Sequence, residues 1–351
     1  MQKISLLNHF ILHPKFKERV EAIKKDVYLP PIPSQTNISK DDYFPQGKGK
    51  LSLEEEFEEK DLDAIRGKEL LNKFKILGYD ESIDKFQALE GSGYLTCHSL
   101  IMIDDEDYLA STCLSFNFYT RSKLLLEKNS TIRDARKAGE IESDSSDEND
   151  KIEAVFKADY AIDRNKFILR NNPGNSILFI DGPLIGKQMS AFTINMNEEL
   201  LKNSIIPIFI VKNSSSNLVT DNILKLVGKF NSDLHWAYKF LKPGQRTCFF
   251  RYIDQHNTNN SKIFCYIKPF QGSPQRIEIH PSTYYGRQDL IAQLMHVAYY
   301  LFLIQDLENP QIRPIAIAEK FARETKKIYN INTILAESEL QPTMNQVRGF
   351  G

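Results

Sequence analysis

Ile177-Leu178-Phe179-Ile180-Asp181-Gly182-Pro183-Leu184 decides the fold: four consecutive apolar residues end in a carboxylate, and a Gly-Pro pair follows. Pro173-Gly174-Asn175 precedes them, so the run reads as a short buried strand bounded on both sides by turn formers. Asp181 then stands at the carboxyl end of that strand. In open α/β sheets this end faces the ligand crevice, where a carboxylate can hold a hard metal ion or polarise a substrate. The plainer alternative is an Asp that only caps the following turn.

Outward from this strand, the pattern toward the N-terminus predicts a helix over residues 151–169, with Ala154, Phe156, Ala158, Ala161 and Phe167 as its apolar residues. Before it, residues 86–89, 94–103 and 108–118 read as strands, the last two joined by the acidic turn Asp104-Asp105-Glu106-Asp107. Toward the C-terminus, a helix near residues 197–202 leads to a second buried strand over 205–212. Strands follow at 246–253, 262–269 and 276–280, then helices at 288–305 and 314–329. Three antiparallel strands, helices and then a buried strand give the chain order of a ribonuclease H-like core. The expected fold class is α/β, a ribonuclease H-like mixed sheet flanked by helices, with an N-terminal helical and irregular arm.

The composition bounds what such a fold can do. Of 351 residues, 41% are hydrophobic and 26% charged, and no apolar run approaches the roughly 20 residues of a membrane span. The first residues lack the apolar core and cleavage site of a signal peptide, so a cytoplasmic location without membrane attachment is expected. Cys97, Cys113, Cys248 and Cys265 never form Cys-x-x-Cys, which argues against zinc and for reduced core thiols. A net charge of −1 excludes a globally basic nucleic-acid binder. Charge is nevertheless segregated: Glu54 to Asp61 and Asp144 to Asp150 are acidic blocks, whereas Arg121 to Lys137, Lys212, Lys225, Lys229, Lys239 and Lys242 are basic. The acidic blocks read as solvated or disordered rather than metal-binding.

Hydrolysis of a phosphodiester with divalent ions needs several carboxylates brought together from different elements. Glu90 and Asp181 are candidates, since each ends an apolar run and precedes a Gly that leaves room beside the carboxylate. Four landmarks carry a wider likeness: Leu89-Glu90-Gly91-Ser92, a strand-Asp-Gly-Ser type opening; Phe179-Ile180-Asp181-Gly182-Pro183-Leu184, a strand-Asp-Gly-Pro-Leu segment; Ile208 to Leu218, a strand-Lys-Ser block; and Arg313-Pro314-Ile315-Ala316-Ile317-Ala318-Glu319-Lys320-Phe321-Ala322, a Pro-led helix start. In this order, over residues 86 to about 329, the chain resembles the NurA family of DNA end-processing nucleases.

The resemblance implies a nuclease acting on DNA ends, by 5′–3′ exonuclease or single-strand endonuclease action, with Mn2+ or Mg2+ as cofactor. It also implies a homodimer docked on a hexameric HerA-type translocase in DNA repair. Asp181 carries over as a metal ligand, and Lys212 as a point charge on phosphate. Glu90 stands where Asp is usual, Glu319 where His is usual, and Arg313 near an expected Tyr; Glu90 and Glu319 remain oxygen ligands suited to manganese or magnesium. A further carboxylate on the helix before Asp181 is Glu153 or Asp159; six residues apart on a helix, only one can face the site.

In these terms residues 1–80 form an arm for partner or dimer contacts, 81–335 a NurA-like nuclease domain with an acidic insertion near 140–150, and 336–351 a flexible tail. The departures from the family pattern motivate a second reading, a non-catalytic subunit that clamps DNA or regulates a translocase. Gly182 to Lys187 lacks the spacing and the Ser or Thr of a P-loop, and His98, His280 and His296 lack metal-ligand spacing and read as packed or surface imidazoles.

Overall fold

A computed structural model of the chain describes residues 13–26, 49–104, 107–136, 148–185, 189–254, 257–305 and 309–343. The chain divides into two compact units, Met1–Thr36 and Asn37–Gly351. The first contains helix α1 (Phe16–Asp26). The second begins with β1 (Gly49–Leu53), β2 (Glu59–Asp61), α2 (Ala64–Leu71), β3 (Lys75–Ala88), β4 (Gly91–Asp104), β5 (Asp107–Thr120), α3 (Lys123–Lys128) and β6 (Arg133–Asp134). It continues with α4 (Glu148–Asn171), β7 (Ser176–Asp181), α5 (Ser190–Lys202), β8 (Ile205–Val211), α6 (Asp233–Phe240), β9 (Gln245–Thr247), β10 (Phe250–Asp254), β11 (Ser261–Lys268) and β12 (Gln275–Ile279). Helices α7 (Pro281–Tyr284), α8 (Gln288–Leu303), α9 (Arg313–Ile328) and α10 (Ile331–Ser338) follow.

One mixed sheet runs β1-β10-β11-β12-β8-β7-β3-β4-β5-β6, with β2 paired to β9 and β9 to β11. Strands β3, β4 and β5 form an antiparallel meander, whereas β7 is parallel to both β3 and β8. The segment β5-β4-β3-β7-β8 is the ribonuclease H-like order. Parallel neighbours need crossover connections, which α4 and α5 supply before and after β7. Helices on both faces explain why β7 is apolar throughout rather than alternating.

The two faces of the central strands divide by the two-residue period. Leu77, Tyr79, Leu178 and Ile180 pack with Phe167 and Ile168 of α4 and Met196 and Leu200 of α5. Ile76, Ile177, Phe179, Ile208 and Ile210 pack on the other side with Leu294 and Met295 of α8 and Ile315 of α9. No helix among the described residues is long and apolar enough to cross a membrane. Cys97, Cys248 and Cys265 are buried, Cys113 is exposed, and none is in a disulfide.

The structure departs from the expected division at residue 80. Residues 49–80 carry β1, β2, α2 and the first part of β3, all within the second compact unit. The acidic block from Glu54 to Asp61, which reads as solvated or disordered in the sequence, finds tertiary partners instead. The Glu55 carboxylate accepts from both terminal nitrogens of Arg246, at 2.7 and 3.0 Å, and from the Phe249 N–H. Likewise the segment from residue 336 is not all tail: α10 reaches Ser338, and the Leu89 N–H donates to the Gln341 carbonyl at 2.8 Å. Of the acidic insertion expected near 140–150, residues 148–150 open α4, and the rest, together with residues 27–48, Lys187 and residues 344–351, lies outside the described residues.

Candidate active site

Because β3 and β7 pair in parallel with Gly78 opposite Phe179 and Tyr79 opposite Ile180, the next residues, Asp80 and Asp181, fall side by side. The two-residue period sets both on the α9 face, in line with Ile76 and Gly78 on β3 and with Ile177 and Phe179 on β7. Lys212 follows β8 on the same face as Ile208 and Ile210. Its Nζ lies 3.0 Å from Asp181 Oδ2 and 3.7 Å from Asp80 Oδ2. Gly182 lets the chain turn sharply after Asp181, at a φ of +99° that a side chain would disfavour.

Helix α9 closes this face. Pro314 starts it, where a missing N–H costs nothing, and Ile315, Ala318, Ala322 and Lys326 are buried along the stripe facing the sheet. Glu319 shares that stripe, four residues after Ile315. Gly78 permits the close approach, since a Cβ there would fall 2.5 Å from the Pro314 carbonyl carbon and 2.7 Å from the Ile315 nitrogen. Farther along, Lys326 donates to Asp84 of β3, so helix and strand stay together beyond the site. Glu319 accepts from the Gln311 amide and from Arg323.

The electrostatics follow from two carboxylates placed together with one ammonium. Burial, then the charges of Asp181 and Glu81, push the Asp80 carboxyl up to about 8, although Lys212 pulls the other way. Burial also raises Asp181, against the opposing pull of Lys212, with Glu319 adding to the rise. For Glu319 the upward push of burial is overcome by the Gln311 hydrogen bond and the charges of Lys212 and Arg323, which hold its carboxyl below the usual range. Asp80 Oδ2 is buried without a hydrogen-bond donor. Asp181 and Lys212 each keep 25% of their side-chain surface exposed, enough for a solute to reach them.

Glu81 points to the opposite face, where Tyr160 of α4 donates to it at 2.5 Å. Next to it the Tyr79 hydroxyl and His98 Nδ1 are 2.7 Å apart. Burial, then Arg164, lowers the His98 pKa to about 4, so this imidazole is a neutral packed group. His296 Nδ1 accepts the Asp63 N–H at 2.9 Å, and His280 caps α7.

Asp181, Lys212 and Glu319 thus meet, whereas Glu90 and Asp159 do not join them. Glu90 lies in the turn between β3 and β4, where its Oε2 accepts the Gln341 N–H at 3.1 Å and its carbonyl accepts Thr120 Oγ1 at 2.7 Å. At about 3.3 Å per residue, the stretch from Asp80 to Glu90 spans roughly 30 Å. Asp159 accepts the Tyr119 hydroxyl at 2.8 Å and lies 3.7 Å from Arg133 Nε, at the corner of β5 and β6. Glu153 is on α4, and its side chain lies outside the described residues. The residue missed by sequence reasoning is Asp80. Its signal is Ile76-Leu77-Gly78-Tyr79-Asp80-Glu81-Ser82, an apolar run ending in Asp with Ser two residues on, the same order of types as at Glu90 but ten residues earlier.

The donor set Asp80, Asp181 and Glu319 consists only of oxygens, the chemistry that suits magnesium or manganese, and the unbonded Asp80 Oδ2 is an acceptor such a cation would satisfy. Among the described residues, no three His, Cys, Asp or Glu side chains are grouped closely enough as placed to hold a metal ion. The pair of carboxylates is bridged by Lys212 instead.

Topology and site together define an α/β protein of ribonuclease H-like order with carboxylates and a lysine at adjoining strand ends. The family model described as the NurA domain matches residues 105–324, more than half of the sequence, and the chain belongs to the NurA family. Among solved structures it is similar to the NurA nuclease from Sulfolobus solfataricus, with 11% identity and a TM-score of 0.49 over 93% of this chain and 98% of that one. It is also similar to endonuclease V from Ciona intestinalis in complex with a 24mer DNA containing an inosine, with 12% identity and a TM-score of 0.37 over 74% of this chain and 89% of that one. Endonuclease V from Bacillus subtilis gives 10% identity and a TM-score of 0.35 over 76% and 91%. No curated protein matches the chain.

Proposed function

We propose that this NurA-family protein is a divalent-metal-dependent DNA nuclease that processes DNA ends. The observation carrying the proposal is the meeting of Asp80, Asp181 and Lys212 on one sheet face, with Glu319 across from them. Asp80 and Asp181 would hold Mn2+ or Mg2+, with Glu319 as the further oxygen donor. The ion supplies activation of water and neutralisation of charge on the phosphate. Lys212 is the residue placed to contact the phosphate, as a mobile point charge rather than a bidentate fork. Glu90 and Asp159 are left with structural hydrogen bonds in this reading.

Family membership extends the proposal to 5′–3′ exonuclease or single-strand endonuclease action, a homodimer, a HerA-type translocase as partner, and DNA repair in the cytoplasm. A DNA-clamping subunit without catalysis is the second reading. It is favoured by Lys212 already neutralising Asp181 and by Arg323 holding Glu319, where the family has His.

Cleavage of end-labelled single- and double-stranded DNA with manganese, magnesium or EDTA tests the choice, with Asp80→Asn and Asp181→Asn alongside. Metal-dependent cutting that both variants lose supports the nuclease. Absence of cutting with the translocase added, together with retained DNA binding, supports the clamp.

A further inference from the structure

β12 carries charge where its burial calls for apolar side chains. It is buried along its whole length, yet Arg276 and Glu278 alternate there with Ile277 and Ile279. Glu278 Oε1 accepts from Lys262 Nζ at 2.5 Å and Arg276 Nε at 2.7 Å. Burial would raise its carboxyl, but Lys262 and Arg276 more than offset this and hold it below the usual range. Apolar residues of similar volume would fill such a core position at equal or better stability. The buried charges have something else to hold.

What they hold is the pair of loops that leave β7 and β8. Glu278 Oε2 accepts the N–H of Leu184 at 2.9 Å, three residues beyond Asp181. Arg276 Nη1 donates to Ser214 Oγ at 2.8 Å and to Ser216 Oγ, in the loop that starts at Lys212. Both residues sit beside β8, with Glu278 opposite Phe209 and Arg276 opposite Val211. The planar guanidinium fork fixes the distance between its Nε and Nη1 partners, so beyond the backbone pairing of Asp181 with Ile210 and the bond from the Gly182 N–H to the Ile210 carbonyl at 2.9 Å, the loops after Asp181 and Lys212 are tied to one another through one carboxylate and one arginine.

We propose that Glu278 and Arg276 are positioning residues that set the spacing between Asp181 and Lys212, through the Leu184 N–H on one side and Ser214 and Ser216 on the other. This rests on the nuclease reading for its catalytic consequence, though not for the clasp itself. A displacement of about 1 Å at a reacting centre can cost on the order of 100-fold in rate, so the clasp should act on turnover more than on DNA affinity.

The test uses the full chain with Ser214→Ala combined with Ser216→Ala, which leaves the buried pair intact, and separately Glu278→Gln. Acylation of Lys212 by a lysine-reactive ester, followed by mass spectrometry, reports directly on its hold, with exposed Lys320 as reference. The serine variant is expected to unfold at the wild-type temperature, acylate Lys212 several-fold faster relative to Lys320, and lose about 10- to 100-fold in kcat with KM within about twofold. Wild-type Lys212 reactivity in the folded serine variant overturns the proposal whatever turnover does. If the wild type cuts no DNA, the nuclease reading fails and the acylation ratio still decides the clasp. If Glu278→Gln does not fold, the serine variant carries the decision.

Discussion

Lys212 Nζ lies 3.0 Å from Asp181 Oδ2 and only 0.7 Å farther, at 3.7 Å, from Asp80 Oδ2. One ammonium therefore faces two carboxyl groups at the place where a divalent cation would be expected to act. Replacing it with a neutral side chain removes the cation already held by this pair of carboxyl groups, so a divalent ion no longer has to displace it. Lys212→Met is expected to bind Mn2+ about tenfold more tightly or better in calorimetric titration, while losing DNA cleavage. Weaker manganese binding by the variant would show that Lys212 supports the ion rather than competing with it.

Stability should respond to pH through Asp80. Burial, Asp181 and Glu81 push its carboxyl up to about 8, with Lys212 opposing, while in the unfolded chain it titrates near about 4. A folded-state pKa raised in this way means that the native protein holds a proton the unfolded chain releases. That contribution is full below about pH 4 and is lost as pH rises through about 8. In metal-free buffer, the unfolding temperature of the wild type should fall relative to that of Asp80→Asn across this window. A difference between the two proteins that stays constant with pH would rule the account out.

Glu90 and Asp80 offer a direct contrast. Glu90→Gln leaves the Gln341 N–H an acceptor, because the amide oxygen replaces the carboxylate oxygen at that hydrogen bond, and is expected to cut DNA at the wild-type rate. Asp80→Asn removes an ionisable oxygen donor from the face shared with Asp181 and is expected to lose cutting by about two orders of magnitude or more. Equal loss in both variants, measured on the same end-labelled substrate, would place Glu90 back in the site.

Gly78 sets the distance between α9 and the sheet. Gly78→Ala places a methyl 2.5 Å from the Pro314 backbone, which cannot swing aside as a side chain could, so the helix must move. The expected cost is about 1–3 kcal/mol of stability, read from the denaturant midpoint, with a further loss of activity because Glu319 moves with the helix. Unchanged stability would mean that α9 docks more loosely than the contact implies.

Much of the fold was legible locally. The apolar runs at Ser176–Asp181 and Ile205–Val211 and the Pro-led helix Arg313–Ile328 fall where the pattern put them, because each is a strong periodic signal bounded by turn formers. The stretch before residue 80 was assigned to an arm because its acidic block reads locally as solvated, whereas its charges are satisfied by distant partners such as Arg246 for Glu55. The C-terminal segment was likewise assigned to a tail, while the Thr343 N–H reaches back to Gln87 of β3 at 3.1 Å.

By itself the sequence determined that Asp181 and Lys212 end buried strands and that Glu319 lies in a Pro-led helix, since these are matters of local period and punctuation. Which carboxylate stands beside Asp181 was decided only by tertiary structure. Asp80 and Glu90 both end apolar runs, and nothing within either run distinguishes them. The choice falls to the parallel register of β3 on β7, with Tyr79 opposite Ile180, which brings Asp80 next to Asp181 and carries Glu90 to the far end of a 14-residue strand. Register is a contact between segments a hundred residues apart, and no local pattern contains it.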